Sequence, residues 1–383
     1  MMKNVKMVSC VLILSIAGVT AAHEAAPAHG VVDPAPPPVR EPLIQIGLLL
    51  DTSNSMDGLI AQAKSELWRI VNDFVRTTRH GRRPRLEVAL YEYGNDSLSA
   101  AGGYIRQVLP LTDDLDRVSQ ELFALSTNGG KEYCGQVIHH AAMNLHWSGR
   151  HDDLKVIFIA GNEPFTQGSI DYRHAAKESI TRGIVVNTIH CGPYETGVAG
   201  SWKHGAQLAE GSYSNIDQDR RIAQIDAPQD AEIARLGIEL NKTYIPFGRD
   251  ARRGFANQNA QDRNAMSLSR SAGAERAVTK ANHFYCNDNW DLVDALDKKG
   301  VDLATIKSHV LPDDMKKMSL EERRRHVEKL RRQRKEIAER INRLNVERQK
   351  FIASKTQASG EDTLDQALIR TIRAQAGKKG FTW

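Results

Sequence analysis

The sequence predicts a doubly wound α/β domain with a mainly parallel sheet, followed by a helical C-terminal region that contains one long heptad helix. Three observations carry this. Short apolar runs, LIQIGLLL at 43–50 and KVIFIAG at 155–161, read as strands buried on both faces. They alternate with stretches of helical periodicity, which implies right-handed crossovers and a mainly parallel sheet. From residue 319 the pattern changes to a seven-residue repeat in a strongly charged background.

The elements follow in order. Residues 1–22 join a basic start, MMKNVK, to an apolar stretch and small residues at Ala21 and Ala22, the pattern of a cleaved signal peptide. Cys10 leaves with it, and a periplasmic or secreted location is expected. No other run approaches the ~20 apolar residues of a spanning helix, so no stable membrane span is expected after cleavage. Residues 23–42 are rich in Pro and Ala and read as an extended linker that carries His23 and His29. The α/β domain is expected over 43–225. After the first strand, 58–78 places Leu59, Ile60, Ala63, Leu67, Ile70, Val71 and Phe74 at helical spacing. RLEVALYEYG (85–94) alternates like a strand, with YIRQVLPL (104–111) as a short antiparallel partner. Helices are expected at 113–126 and 135–147, then the strand at 155–161, a helix at 171–182, a strand at 183–192, a helix at 201–209 and an edge strand at 211–216. Residues 226–318 read as interrupted helices packed on the domain, one of them starting at Asp288 or Asn289.

Residues 319–352 open with a capping box, Ser319 and Glu322. One heptad series is Leu330, Ile337, Leu344 and Phe351. The other, Leu320, Val327, Arg334, Ile341 and Arg348, is broken twice by arginine. This is a long amphipathic helix of coiled-coil character, either self-associating or folded back. Residues 353–383 are expected to add a short helix and a loose tail. The net charge of +5 and 41% hydrophobic content suit a globular chain, and much of the basic excess lies in runs such as EERRRHVEKLRRQRK. That local excess argues against nucleic acid as a partner.

The chemistry concentrates where the first strand ends. Asp51 stops an apolar run, and Ser53 and Ser55 follow at two-residue intervals before a helix begins. In a doubly wound sheet, ligands bind beyond the C-terminal strand ends. A carboxylate and two hydroxyls converging there suit a hard cation, Mg2+, Mn2+ or Ca2+. Helix capping is the plainer alternative.

Residues 43 to about 225 resemble a von Willebrand factor type A domain, and Asp51-Thr52-Ser53-Asn54-Ser55 is similar to that family's metal-ion-dependent adhesion site motif. The resemblance implies a Rossmann-like sheet and a divalent cation, usually Mg2+, whose open position accepts a carboxylate from a partner protein. More narrowly, GGKEYCG (129–135), NDNWDLVDAL (287–296) and the charged heptad helix resemble bacterial exported proteins with an A domain and a helical tail. Two motif positions depart from the family. Glu132 stands in the threonine slot, and Ala160 stands where the family has aspartate, with Asn162 and Glu163 close by as replacements.

Cys134 and Cys191 both fall at C-terminal strand ends, so a disulfide between them is possible if their Cα atoms lie within about 7 Å. Cys286 would remain unpaired and buried. His139, His140, His190 and His204 are candidate bases, and His190 next to Cys191 suggests a thiolate pair. No familiar catalytic motif is present, so an enzyme is not expected. The expected function is an exported interaction module. It holds a divalent ion on Asp51, Ser53 and Ser55, helped by Glu132 and Asn162, and its protein partner is unknown. Two alternatives are an envelope scaffold acting through 319–352, with self-association there, and a hydrolase-like enzyme.

Overall fold

The computed structural model describes residues 41–217, 225–298, 300–355 and 364–383. The expected signal peptide and the linker through residue 40, with Cys10, His23 and His29, lie outside the described residues. The chain runs β1 (Leu43–Asp51), α1 (Asp57–Asp73), β2 (Thr78–Arg79), β3 (Arg85–Tyr93), β4 (Ile105–Thr112), α2 (Leu115–Ala124) and α3 (Cys134–Asn144). It continues through β5 (Leu154–Gly161), α4 (Tyr172–Thr181), β6 (Val185–Cys191), α5 (Tyr194–Ala199), α6 (Trp202–Leu208) and β7 (Tyr213–Ile216). The helical region follows as α7 (Asp230–Asn241), α8 (Ala251–Leu268), α9 (Arg270–Lys280), α10 (Leu292–Asp297), α11 (Asp313–Lys316), α12 (Leu320–Lys355) and α13 (Leu364–Lys378). A short β8 (Phe381–Thr382) comes last.

The main sheet has the order β4-β3-β1-β5-β6-β7. β3, β1, β5, β6 and β7 are parallel, and β4 runs antiparallel at the edge. The chain leaves β1 for β3 on one side and later reaches β5 on the other, so the topological switch point lies between β1 and β5. Asp51 sits at its C-terminal end.

Side-chain alternation assigns the two faces. Ile44, Ile46 and Leu50 of β1, with Val156, Phe158 and Ala160 of β5, pack towards α1, α2 and α13. Leu49, Ile157 and Ile159 face the other way, towards α3, α4 and Trp202 of α6. This is why the central strands read as unbroken apolar runs.

The C-terminal tail is docked, which corrects the expectation of a loose end. Leu364, Ala367, Leu368, Ile372 and Ala376 sit at helical spacing and are buried in the α1-side core. β8 then pairs antiparallel with β2, Thr382 opposite Thr78. α1 ends at Asp73, short of the expected 78, and a 3-10 turn at Phe74–Arg76 leads into β2.

The long helix is folded back. Val327 and Ile341 are buried against the helical region, and Leu330, Ile337 and Leu344 pack beside them. The two arginines that break the heptad are ion-pair anchors. Arg334 meets Asp291 and Asp294 at 2.7 Å each, and Arg348 meets Asp230 and Glu275 at 2.5 Å each. Of the two expected arrangements the folded-back one is found, with the seam from Val327 to Arg348 packed within the chain on α7, α9 and α10.

A second buried network fixes the helical region to the α/β layer. Arg276 of α9 pairs with Asp116 of α2 at 2.7 Å and Asp262 of α8 at 2.8 Å, and lies 4.4 Å over the Trp68 ring of α1. Tyr285 donates its hydroxyl to Asp116 at 2.6 Å.

Candidate metal centre

Beyond β1 the chain makes one tight turn before α1. Thr52 donates its N–H to the Tyr93 carbonyl at 2.9 Å, which extends the parallel ladder by one rung. The Ser53 N–H then turns back to Asp51 Oδ1 at 2.7 Å. Residues 54–56 form a single 3-10 turn, and neither that turn nor α1 has a side-chain cap. The hydroxyls of Ser53 and Ser55 therefore do not serve as helix caps. They lie 3.1 Å from each other, and Asn162 donates its Nδ2–H to Ser55 Oγ at 3.1 Å.

The loop before α3 brings in the second carboxyl. It clamps onto the turn through Asn54 N–H to the Gly129 carbonyl, 3.1 Å, and Asn128 N–H to the Thr52 carbonyl, 3.0 Å. Gly130 has φ +141°, and a Cβ there would fall 1.4 Å from the Gly94 carbonyl oxygen, so only glycine fits. Gly94 in turn makes room for both acids, since a Cβ on it would lie 2.7 Å from Asp51 Oδ1 and 2.8 Å from Glu132 Cγ. Glu132 is thereby buried against Asp51, and its Oε2 accepts the Glu163 N–H at 3.2 Å.

Burial, and then the adjacent Glu132 charge, push the Asp51 carboxyl well above the usual range. Burial also raises Glu132, opposed by its hydrogen bonds to Asp51, Ser53 and the Glu163 backbone. Lying against each other, the two carboxyls resist being ionised together. Asp51 Oδ2 and Asn162 Oδ1 are buried and find no donor. Two buried carboxyls, two hydroxyls and an amide oxygen make an all-oxygen donor set, and two of these oxygens await a positive partner. Such a set fits Mg2+, Mn2+ or Ca2+ and suits zinc or copper poorly.

The substitutions relative to the family resolve as follows. Ala160 turns its methyl into the α1-side core, while its carbonyl accepts the Tyr93 hydroxyl at 2.9 Å. It contributes no side-chain oxygen. Asn162, two residues on, points at Ser55 instead. Glu163 is exposed, and its carboxylate takes a hydrogen bond from Gln167 Nε2 at 3.2 Å. Sequence reasoning missed the groups that hold this loop. His190 Nε2 contacts the Asn162 carbonyl oxygen at 3.2 Å, and Trp202 Nε1–H donates to the Glu163 carbonyl at 2.8 Å. These contacts join residues far apart in the chain, and no local pattern marks them.

The possible disulfide is not formed: Cys134 and Cys191 do not bridge to each other. Cys134 lies in the α3-side core, its Sγ 3.9 Å from the Tyr93 hydroxyl, whereas Cys191 lies in the α1-side core. The sheet separates them, so sharing one end of the strands does not bring them into reach. Cys286 is half-buried, not fully buried.

Nor do His190 and Cys191 form a reactive pair. As successive strand residues they point to opposite faces. His140 contacts the Tyr91 hydroxyl, His204 the Tyr172 hydroxyl and His139 the Glu178 carboxylate.

Residues 45–204 match the family model of the von Willebrand factor type A domain. Several solved structures are similar at low identity. Proximal thread matrix protein 1 from the mussel byssus is 11% identical with a TM-score of 0.32, covering 45% of this chain and 41% of that one. A further structure of that protein has a zinc-occupied metal-ion-dependent adhesion site. BatB from Bacteroides thetaiotaomicron is 16% identical with a TM-score of 0.35, covering 50% of this chain and 95% of its own. The SpRpn10 VWA domain is 15% identical with a TM-score of 0.36, covering 47% and 90%. No curated protein sequence matches significantly. Domains of this family mediate protein–protein interactions and often use a divalent metal at the adhesion site. The mainly parallel six-stranded sheet, the acidic turn after its central strand and the family match agree: residues 45–204 are a von Willebrand factor type A domain.

Proposed function

We propose that this domain captures a partner protein through a divalent cation, Mg2+ foremost and Mn2+ or Ca2+ as alternatives. Asp51, Ser53, Ser55 and Glu132 would hold the ion, and Asn162 would supply its free amide oxygen. Bound there, the ion offers a Lewis-acidic position to an acidic side chain of the partner. The chain's own contribution is preorganisation. Gly94 makes room for the two carboxyls, Ser53 N–H fixes Asp51 Oδ1, and His190 and Trp202 hold the Asn162–Glu163 backbone. The observation that carries the reading is the buried, donorless Oδ2 of Asp51 beside a second buried carboxyl.

The reading is of a binding module, not a catalyst. Export to a periplasmic or extracellular location is part of the proposal and rests on the basic-apolar-small pattern of residues 1–22. No described helix is long and apolar enough to cross a membrane. A scaffold acting through 319–352 is disfavoured, because that heptad seam is occupied by α7, α9 and α10.

The test is calorimetric titration of the protein with Mg2+, Mn2+ and Ca2+, alongside Asp51→Ala. Binding to the wild type that Asp51→Ala abolishes supports the proposal. Absence of both heat and thermal stabilisation with every ion overturns it.

A further inference from the structure

The opposite chemistry to the all-oxygen turn is found on the outer surface of the α3–α4 layer. His139 projects from α3, and His174 and Glu178 project from successive turns of α4. Residues four apart on a helix share a face, so α4 offers one imidazole and one carboxylate side by side. The packing of α3 on α4, through Ala141, Ala142, Ala175 and Ala176, brings the second imidazole to them. The potential ligand atoms of the three residues all lie within 4.8 Å of one another. Glu178 divides its oxygens between the two rings: Oε2 lies 2.5 Å from His139 Nδ1 and Oε1 lies 3.3 Å from His174 Nε2. The rings stack with centroids 6.3 Å apart and planes 25° from parallel.

We propose that His139, His174 and Glu178 form a second metal site that takes a borderline transition ion of the Zn2+ or Co2+ class. Two imidazole nitrogens and one carboxylate oxygen on rigid helices are three of the four ligands of a tetrahedral centre. Imidazole selects zinc-like ions, whereas the donor set at Asp51 selects hard ones, so the domain carries two sites with separate ion classes. His174 is 63% exposed at its side chain, which leaves the fourth position open to water or to a ligand from outside. The plainer reading, a surface ion pair with a stacked histidine, accounts for the His139–Glu178 contact. The i,i+4 spacing accounts for the His174–Glu178 contact in the same way; what points to an ion is that ligand atoms from all three residues, on two helices, converge within 4.8 Å.

The experiment uses the full chain and Zn2+ alone, by calorimetry, with Co2+ absorption as a second readout. Four proteins are compared: wild type, Asp51→Ala, His174→Ala and His139→Ala. The expected result is one Zn2+ bound by wild type and by Asp51→Ala, with a tetrahedral Co2+ spectrum. Either histidine variant should weaken it by more than the roughly 100-fold that loss of a supporting residue can bring. Because His174 is exposed, His174→Ala should melt like wild type without metal, which separates lost binding from lost folding. Unchanged Zn2+ affinity in His174→Ala, or no Zn2+ binding by Asp51→Ala, would overturn the proposal. Mg2+ binding at Asp51 is read independently in the same proteins, so failure here leaves that reading intact and distinguishable.

Discussion

Replacing Asp51 with asparagine should reverse the order of stability depending on whether a cation is present. Asp51 is fully buried, its Oδ2 has no donor, and Glu132 lies against it. A buried unsatisfied polar group costs about 1–3 kcal/mol. The amide of Asp51→Asn keeps an oxygen for the Ser53 N–H, removes one charge and can donate to Glu132. The ion-free variant should therefore be more stable by about that amount, read as a higher melting temperature. With Mg2+ at 100 times its dissociation constant, wild type should gain ~2.7 kcal/mol and the variant far less, so the order crosses. The pH dependence has a definite sign. The folded Asp51 carboxyl is raised above its ordinary value of 3.8, so its contribution to stability is fully present below about pH 4 and is lost as pH rises through the raised value. The gain from Mg2+ should accordingly be larger at neutral than at acid pH. Thermal and chemical denaturation in EDTA and in Mg2+, at both pH values, measure all of this. An Asp51→Asn protein less stable than wild type in EDTA at neutral pH would refute the argument, since the carboxylate would then be well solvated without an ion.

Glu132→Gln should weaken Mg2+ binding by at least about 10-fold in calorimetry while leaving the ion-free fold intact, because the amide keeps the volume but not the charge. Arg348→Ala strands Asp230 and Glu275 in the interior and should lose about 3–5 kcal/mol in chemical denaturation; a loss below ~1 kcal/mol would mean that α12 is not docked as described. Leu368→Ala, on the buried face of α13, should lose about 2–5 kcal/mol in the same assay, whereas a free tail would lose nothing. Under non-reducing denaturation, Cys134, Cys191 and Cys286 should all titrate as thiols, and natively Cys134 should react slowest, because burial pushes its thiol well above the usual range.

What could be read from the sequence was what is local. The parallel strands announce themselves because burial on both faces demands apolar runs, and Asp51, Ser53 and Ser55 stand out because one turn holds all three. Glu132 and Asn162 could be nominated only by aligning the chain to the family motif. That they approach Asp51 and Ser55 depends on the space at Gly94 and the clamp at Gly129, which have no one-dimensional signature. The arginines of α12 looked like defects in a heptad because their partners, Asp230, Glu275, Asp291 and Asp294, lie 40 to 118 positions away. Asp291 also caps α10 by accepting the Asp294 N–H, in place of the expected start at Asp288 or Asn289. The cysteines misled for a related reason: sharing one end of the strands says nothing about which face a side chain takes.

The antiparallel bridge between Thr78 and Thr382 sets a timetable. Those two residues are 304 positions apart. At ~5–20 residues per second, a ribosome needs about 15–60 s to travel between them. Throughout that interval the outer face of α1 lacks α13, the helix that covers it, and its apolar side chains stay available to chaperones and to other chains. The α1 side of the A domain is therefore not fully covered while the chain is being made. Its final packing on that side waits for residues 364–383.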